Sequence, residues 1–260
     1  MPSAFYVSEG GRFVSTELTR GPWDPGSQHA GPPAALIGRA LERSTPEGWA
    51  IGRITFEILR AVPIAPLQVE VETLRPGRSV ELVGAVLRDA DGDPLIRAHA
   101  WRLAERPLEL PEGLAEAADP VPAVEHGTDH PFFDTGQEVG YHTAMEYRFV
   151  SGSFTELGPA TVWMRMQCPL IEGEPPSPLQ RLLTAADTVN GASATLDLQR
   201  YLFVNVDLSV HAYRPPVGEW VCLDAITIPQ PTGIGMAEAV LHDQRGPLGR
   251  ALQTLLIRER

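Results

Sequence analysis

The stretch Pro178-Leu179-Gln180-Arg181-Leu182-Leu183-Thr184-Ala185-Ala186-Asp187-Thr188-Val189-Asn190-Gly191 decides how this chain folds. Leu179, Leu182, Leu183, Ala186 and Val189 recur at the i, i+3, i+4 spacing of an apolar helix face. Pro178 suits a first helical turn and Asn190-Gly191 a stop, so the pattern predicts one helix over 178–190. Alternating strands follow at 206–210, which end at Pro215-Pro216, and at 220–228 and 235–242. After a turn at Gln244-Arg245-Gly246-Pro247, a last strand runs over 248–257.

The same order occurs earlier in the chain. Pro32-Pro33 opens a helix over 32–43 whose stripe is Leu36, Ile37, Ala40 and Leu41. Strands at 54–58, ending at Pro63, then 67–73 and 79–88 precede a turn at Asp91-Gly92-Asp93-Pro94 and a strand over 95–103. Pro94-Leu95 matches Pro247-Leu248 at an offset of 153, and Leu36 matches Leu183 at 147. One helix followed by antiparallel strands, twice over, is an α+β pattern without βαβ units. Short apolar helices flanked by alternating strands imply a sheet curled around each helix.

Between the copies, residues 104–140 are acidic and punctuated by proline, with Glu105, Glu109, Glu112, Glu116, Asp119, Glu125, Asp129, Asp134 and Glu138 against one Arg106. Such a segment is expected to bury no apolar area and to serve as a linker. The predicted organisation is an N-terminal domain over 1–105, a linker over 106–138 and a C-terminal domain over 139–260.

Composition narrows the class. The chain has 260 residues, 43% apolar and 21% charged, and its net charge is −12. That acidity disfavours binding to nucleic acid or to anionic lipid heads. No apolar run is long enough to span a bilayer. Met1-Pro2-Ser3-Ala4-Phe5-Tyr6 lacks the basic and apolar regions of a secretory signal, so a cytoplasmic location is expected. Cys168 and Cys222 supply neither a disulfide framework nor a zinc set, and the scattered histidines lack ligand spacing, so no metal is expected. All 21 basic residues are Arg, dispersed along the chain, so no phosphate-binding cluster stands out.

Asp187 is the most informative residue. It falls four residues after Leu183 and eight after Leu179, on the apolar stripe, where desolvation raises a carboxyl pKa toward that of a general base. It maps onto Ala40 of the first copy. Gln253 on the last strand maps onto Ala100, and Asn205 maps near Gly52-Arg53. Three polar residues in one copy alone are what a single active site per two copies would leave, although a buried structural cluster would leave the same trace. Strand phase groups Asn205 with Asp207 and Ser209, which are rivals for its role.

The chain resembles the acyl-CoA thioesterase II-like family of double-hotdog proteins, closest to thioesterase-like proteins of high-GC bacteria. The resemblance rests on 29–36 (His29-Ala30-Gly31-Pro32-Pro33-Ala34-Ala35-Leu36), Leu59-Arg60-Ala61-Val62-Pro63, 178–182, 186–191, 205–211 and Arg250-Ala251-Leu252-Gln253. It implies two tandem hotdog domains and hydrolysis of acyl-CoA-type thioesters within fatty acid metabolism. Water would be activated on Asp187 and held by Asn205 and Gln253. Asn205 stands where that family carries Thr or Ser. His29, Gly31, Asn190 and Gly191 are expected at the substrate. No cofactor is implied beyond the coenzyme A of the substrate, the partner is a small acyl thioester, and homo-oligomerisation stays open. Two rivals remain. One is a non-catalytic acyl-ligand binder. The other is an R-specific enoyl-CoA hydratase using Asp24 and His29, five residues apart, although Gly21 to Gly26 also reads as a plain turn. The chain lacks a G-x-S-x-G elbow, which argues against a serine-triad hydrolase.

Overall fold

The computed structural model describes residues 3–114 and 120–260; Glu116 and Asp119 of the acidic run lie outside the described residues. The N-terminal half opens with β1 (Tyr6–Glu9) and β2 (Arg12–Ser15), followed by α1 (Gly31–Arg43). Four strands complete it: β3 (Trp49–Ile58), β4 (Pro66–Arg75), β5 (Val80–Arg88) and β6 (Pro94–Ala104). The C-terminal half contains α2 (Tyr141–Ala144), β7 (Met145–Ser151), β8 (Ala160–Met166), α3 (Pro178–Ala186) and α4 (Val189–Ala192). It ends with β9 (Tyr201–Asn205), β10 (Asp207–Ala212), β11 (Trp220–Pro229), β12 (Ile234–Asp243) and β13 (Gly246–Glu259).

All strand pairs are antiparallel, and the strands form one sheet in the order β1-β2-β4-β5-β6-β3-β10-β13-β12-β11-β8-β7, with β9 also paired to β13. The order reads as two copies mirrored about the β3–β10 seam, where Thr55 faces Ser209 and Phe56 faces Leu208. Each half curls its six-strand arc around its helix, as the repeat predicts, and the whole is the double hotdog that the resemblance implies. The strands β1, β2, β7, β8 and β9 extend the expected set.

The two helices meet inside. α1 lies against α3, and Gly38 makes this possible: a Cβ at that position would overlap Leu183 Cδ1. Leu36, Ile37 and Leu41 of α1 and Leu182 and Leu183 of α3 are fully buried. Burial of such aliphatic side chains contributes about 1.5–3 kcal/mol each, so this pairing is a large part of the core.

The single helix predicted over 178–190 is interrupted. Ser177 accepts the Gln180 N–H at 3.1 Å and caps the start, as Pro178 at the first position suggests. The helix ends at Ala186, and the Thr188 N–H returns to the Ala185 carbonyl at 2.9 Å as a tighter turn. The acidic segment also departs from its reading. Val124 is buried against Trp163 and Cys222, and Trp163 Nε1 donates to the Pro122 carbonyl at 2.9 Å. Phe132 and Phe133 pack onto the main core. Net acidity along this stretch masks a few apolar residues that do pack.

Candidate active site

The helix interruption places Asp187. The residue caps the C-terminus of α3 with helical dihedrals, and its side chain is buried at the N-terminus of α1. Gln253, on the inward face of β13 with Ala251 and Leu255, is 1% exposed. Its Nε2 donates to the Asp187 carbonyl at 3.1 Å and to Asp187 Oδ1 at 3.0 Å, while its Oε1 accepts the Asn190 N–H at 3.2 Å. One amide thus satisfies backbone groups on both sides of the break, which the α3–α4 interruption would otherwise leave buried and unpaired.

Asn205 reaches the same oxygen. Its Nδ2 lies 2.8 Å from Asp187 Oδ1. A bulge turns it inward: Asn205 pairs with Leu255 but Ser209 pairs with Leu252, so one extra residue is inserted opposite β13. Upstream of Val206 the odd positions Phe203 and Asn205 face inward; downstream the even positions Leu208 and Val210 do. The grouping of Asn205 with Asp207 and Ser209 therefore fails. Asp207 accepts the Thr254 N–H at 2.5 Å and the Thr254 hydroxyl at 3.1 Å, and Ser209 donates to Thr55 Oγ1 at 3.1 Å.

The other carboxylate oxygen, Asp187 Oδ2, lies 3.1 Å from His29 Nδ1. The His29 ring stacks on Tyr141 at 3.7 Å between centroids, and Tyr141 in turn donates to the Thr184 carbonyl at 2.7 Å. Burial pushes His29 down to about 3, so a neutral imidazole stands beside the carboxyl and the contact is not an ion pair, while Nδ1 accepts the Gly31 N–H at 3.1 Å. Burial pushes the Asp187 carboxyl up to about 7, opposed by hydrogen bonds from Asn205, the Ala30 N–H, Gln253 and the Gly31 N–H. Tyr141 escaped the sequence reading because it carries no periodic or motif signal, and Thr188 was quoted within the 186–191 motif without a role of its own.

These groups open onto a cavity of about 400 Å³ whose wall includes Trp23, Leu59, Val62, Phe132, Phe133, Phe154 and Phe203. His29, Asn190 and Gly191 line it beside Asp187, Asn205 and Gln253. Gly31 does not. A Cβ there would overlap the Thr184 carbonyl oxygen, so Gly31 lets α1 approach α3 and directs its N–H toward the carboxylate. Asp24 also stays away: it is exposed, accepts the Gly26 N–H at 3.2 Å and the Ser27 hydroxyl at 2.5 Å, and forms a local turn without reaching His29. The hydratase pairing of Asp24 with His29 is therefore not assembled. Among the described residues no cluster of three His, Cys, Asp or Glu side chains has a metal-binding arrangement, and no helix is long and apolar enough to cross a membrane.

A curled antiparallel sheet around paired helices, with a buried carboxylate at an apolar cavity, is the architecture of a double-hotdog protein. The family models agree: the acyl-CoA thioesterase N-terminal domain matches residues 19–103 and the acyl-CoA thioesterase C-terminal domain matches residues 115–257. The chain belongs to the acyl-CoA thioesterase family, and it is a thioesterase. No curated protein sequence matches it. Solved structures share its fold. A thioesterase II candidate from Thermobifida fusca superposes with a TM-score of 0.74 at 16% identity over 99% of this chain and 96% of that one. The acyl-CoA thioesterase II TesB2 from Mycobacterium marinum gives 0.70 at 17% identity over 97% and 94%. A hot dog fold protein from Alicyclobacillus acidocaldarius gives 0.71 at 18% over 98% and 95%.

Proposed function

We propose that Asp187 is the general base of thioester hydrolysis, with Asn205 at the reacting water and Gln253 as the positioning residue. One observation carries this reading: the amides of Asn205 and Gln253 converge on one oxygen of a buried carboxylate that faces an apolar cavity. A base with a pKa of about 7 takes a proton near neutrality and returns it readily.

Both N–H groups of the Gln253 amide bond Asp187, so Gln253 orients the base and leaves the water to Asn205. Among the described residues one N–H and the Oδ1 of Asn205 have no other protein partner, and Asn205 lines the cavity. In the proposed step, water attacks the thioester carbonyl carbon as Asp187 takes its proton, giving a tetrahedral oxyanion. Collapse expels the thiolate, which recovers the proton from the Asp187 carboxyl, leaving free acid and thiol. This chemistry uses water and side chains alone; coenzyme A enters as part of the substrate. The aromatic and aliphatic wall suits the acyl group, consistent with the fatty acyl chains of bacterial metabolism.

Thiol release measured across a panel of acyl-CoAs tests the reading. Asp187→Asn is expected to lose about 10²–10⁴ in turnover while remaining folded. Full activity in a folded Asp187→Asn protein would rule Asp187 out as the base.

A further inference from the structure

The arginines that are dispersed in sequence meet on the outer face of the sheet. Across the seam, directly opposed residues form one lateral row: Trp101 on β6, Arg53 on β3, His211 on β10 and Arg250 on β13. The seam between the halves passes between Arg53 and His211, so each half contributes two members. Neighbouring strands lie about 4.8 Å apart, so the backbone positions of the two arginines are roughly 10 Å from each other with His211 between them. Like charges placed this way are unfavourable unless something between them neutralises them. No acid on the protein does so: among the described residues neither Arg53 nor Arg250 forms an ion pair. Asp224, beyond Val240 at the far end of the row, accepts from Thr161 Oγ1 at 2.9 Å.

The row lines a cavity of about 870 Å³, larger than the catalytic one and separate from its lining. Arg53 Nε is buried there without a hydrogen-bond partner among the described residues, an uncommon state for a guanidinium nitrogen. Trp101 and Tyr213 line the same cavity. Guanidiniums in a fixed row suit phosphoryl oxygens, which accept from several N–H groups at once, and an indole suits a planar base.

We infer that this seam cavity is a second ligand site, binding a phosphorylated molecule with a planar ring, a nucleoside diphosphate in its simplest form. Arg53, His211 and Arg250 hold the phosphates and Trp101 holds the ring. Such a ligand bridges the two halves, since Arg53 and Trp101 come from one and His211 and Arg250 from the other.

Calorimetric titration of the full chain with ADP and with inorganic pyrophosphate at low ionic strength tests the site. Both are expected to bind, more weakly as salt is added. Arg53→Gln/Arg250→Gln is expected to weaken both at least tenfold with an unchanged or raised melting temperature, and each single variant to weaken them in part. Trp101→Leu is expected to weaken ADP and spare pyrophosphate. The source of the ligand follows from kinetics on the double variant. An acyl-CoA KM raised about tenfold at constant kcat means that the substrate's own nucleotide end sits in the cavity. An unchanged KM with ADP binding lost means a free nucleotide. Absence of binding by either probe at millimolar concentration, or unchanged affinity in the double variant, overturns the proposal. The titrations do not depend on turnover, so they stand apart from any failure of the hydrolytic mechanism.

Discussion

Gln253 Nε2 bonds both the main-chain carbonyl and the carboxylate of Asp187, at 3.1 and 3.0 Å, so one side chain holds the broken helix and the base in the same grip. Its Oε1 takes the Asn190 N–H beyond the break. Removing the amide leaves buried backbone groups without partners, a loss of about 1–3 kcal/mol for each unsatisfied group. Gln253→Leu is therefore expected to lower both melting temperature and kcat. A purely catalytic role would lower kcat alone. Thermal unfolding and thiol release on the same preparation separate the two.

The bulge at Val206 makes a second prediction sharp. Asn205 faces the cavity, whereas Asp207 is tied to Thr254 on the opposite face. Asn205→Ala is expected to lower turnover about 10–1,000-fold, as loss of a positioning donor does. Asp207→Ala is expected to keep kcat per folded molecule and to lower stability. The reverse pattern would return the role to Asp207.

The contrast between these two residues shows what the sequence made legible. Helical period placed Asp187 on an apolar stripe, strand period placed Gln253 beside Ala251 and Leu255, and the repeat exposed both as departures from the first copy. The break after Ala186 escaped because its cause, an amide at position 253, lies far along the chain. The bulge escaped because an extra residue opposite β13 leaves no local composition signal, and it reversed the phase on which the Asp207 and Ser209 rivalry rested. The apolar wall from Phe132 and Phe133 was hidden by the acidity of the residues around it. His29 was expected at the substrate and does line the cavity, but its contact with Asp187, far off in sequence, left no local signal, and the rival pairing with Asp24 fails because Asp24 lies in a solvent-facing turn.

Gly191 lines the cavity proposed to take the acyl group. A Cβ at this position would meet nothing within 4 Å. Gly191→Val is expected to fill that space, cutting kcat/KM for long acyl chains at least tenfold and sparing short ones. Equal loss for every chain length would place the acyl group elsewhere.

The pH profile identifies the base among two neighbouring groups. In the proposed mechanism turnover requires ionised Asp187, so kcat is expected to fall about tenfold per unit below a pKa of about 7. His29, held near 3, stays neutral through this range and cannot produce the limb. His29→Phe is therefore expected to retain an acid limb between pH 5 and 8, shifted but present. Its disappearance would transfer the titration to His29.

Stability and activity should move in opposite directions in Asp187→Asn. Burial raises the folded carboxyl from the ordinary 3.8 to about 7, so the folded state favours the protonated acid. By linkage, the stability contributed by this raised pKa is complete below about pH 4 and is lost as pH rises through 7. Asparagine is neutral throughout and keeps the shape of the protonated acid. The melting temperature of Asp187→Asn relative to wild type is thus expected to be near zero in difference at pH 4 and increasingly positive toward pH 8. Over the same interval wild-type thiol release rises while the variant stays 10²–10⁴-fold lower. Calorimetric melting of both proteins from pH 4 to pH 8, with kcat on matched samples, checks both signs. A stability difference that does not change with pH would mean that the carboxyl titrates at its ordinary value, and Asp187 would lose the property that makes it a base near neutrality.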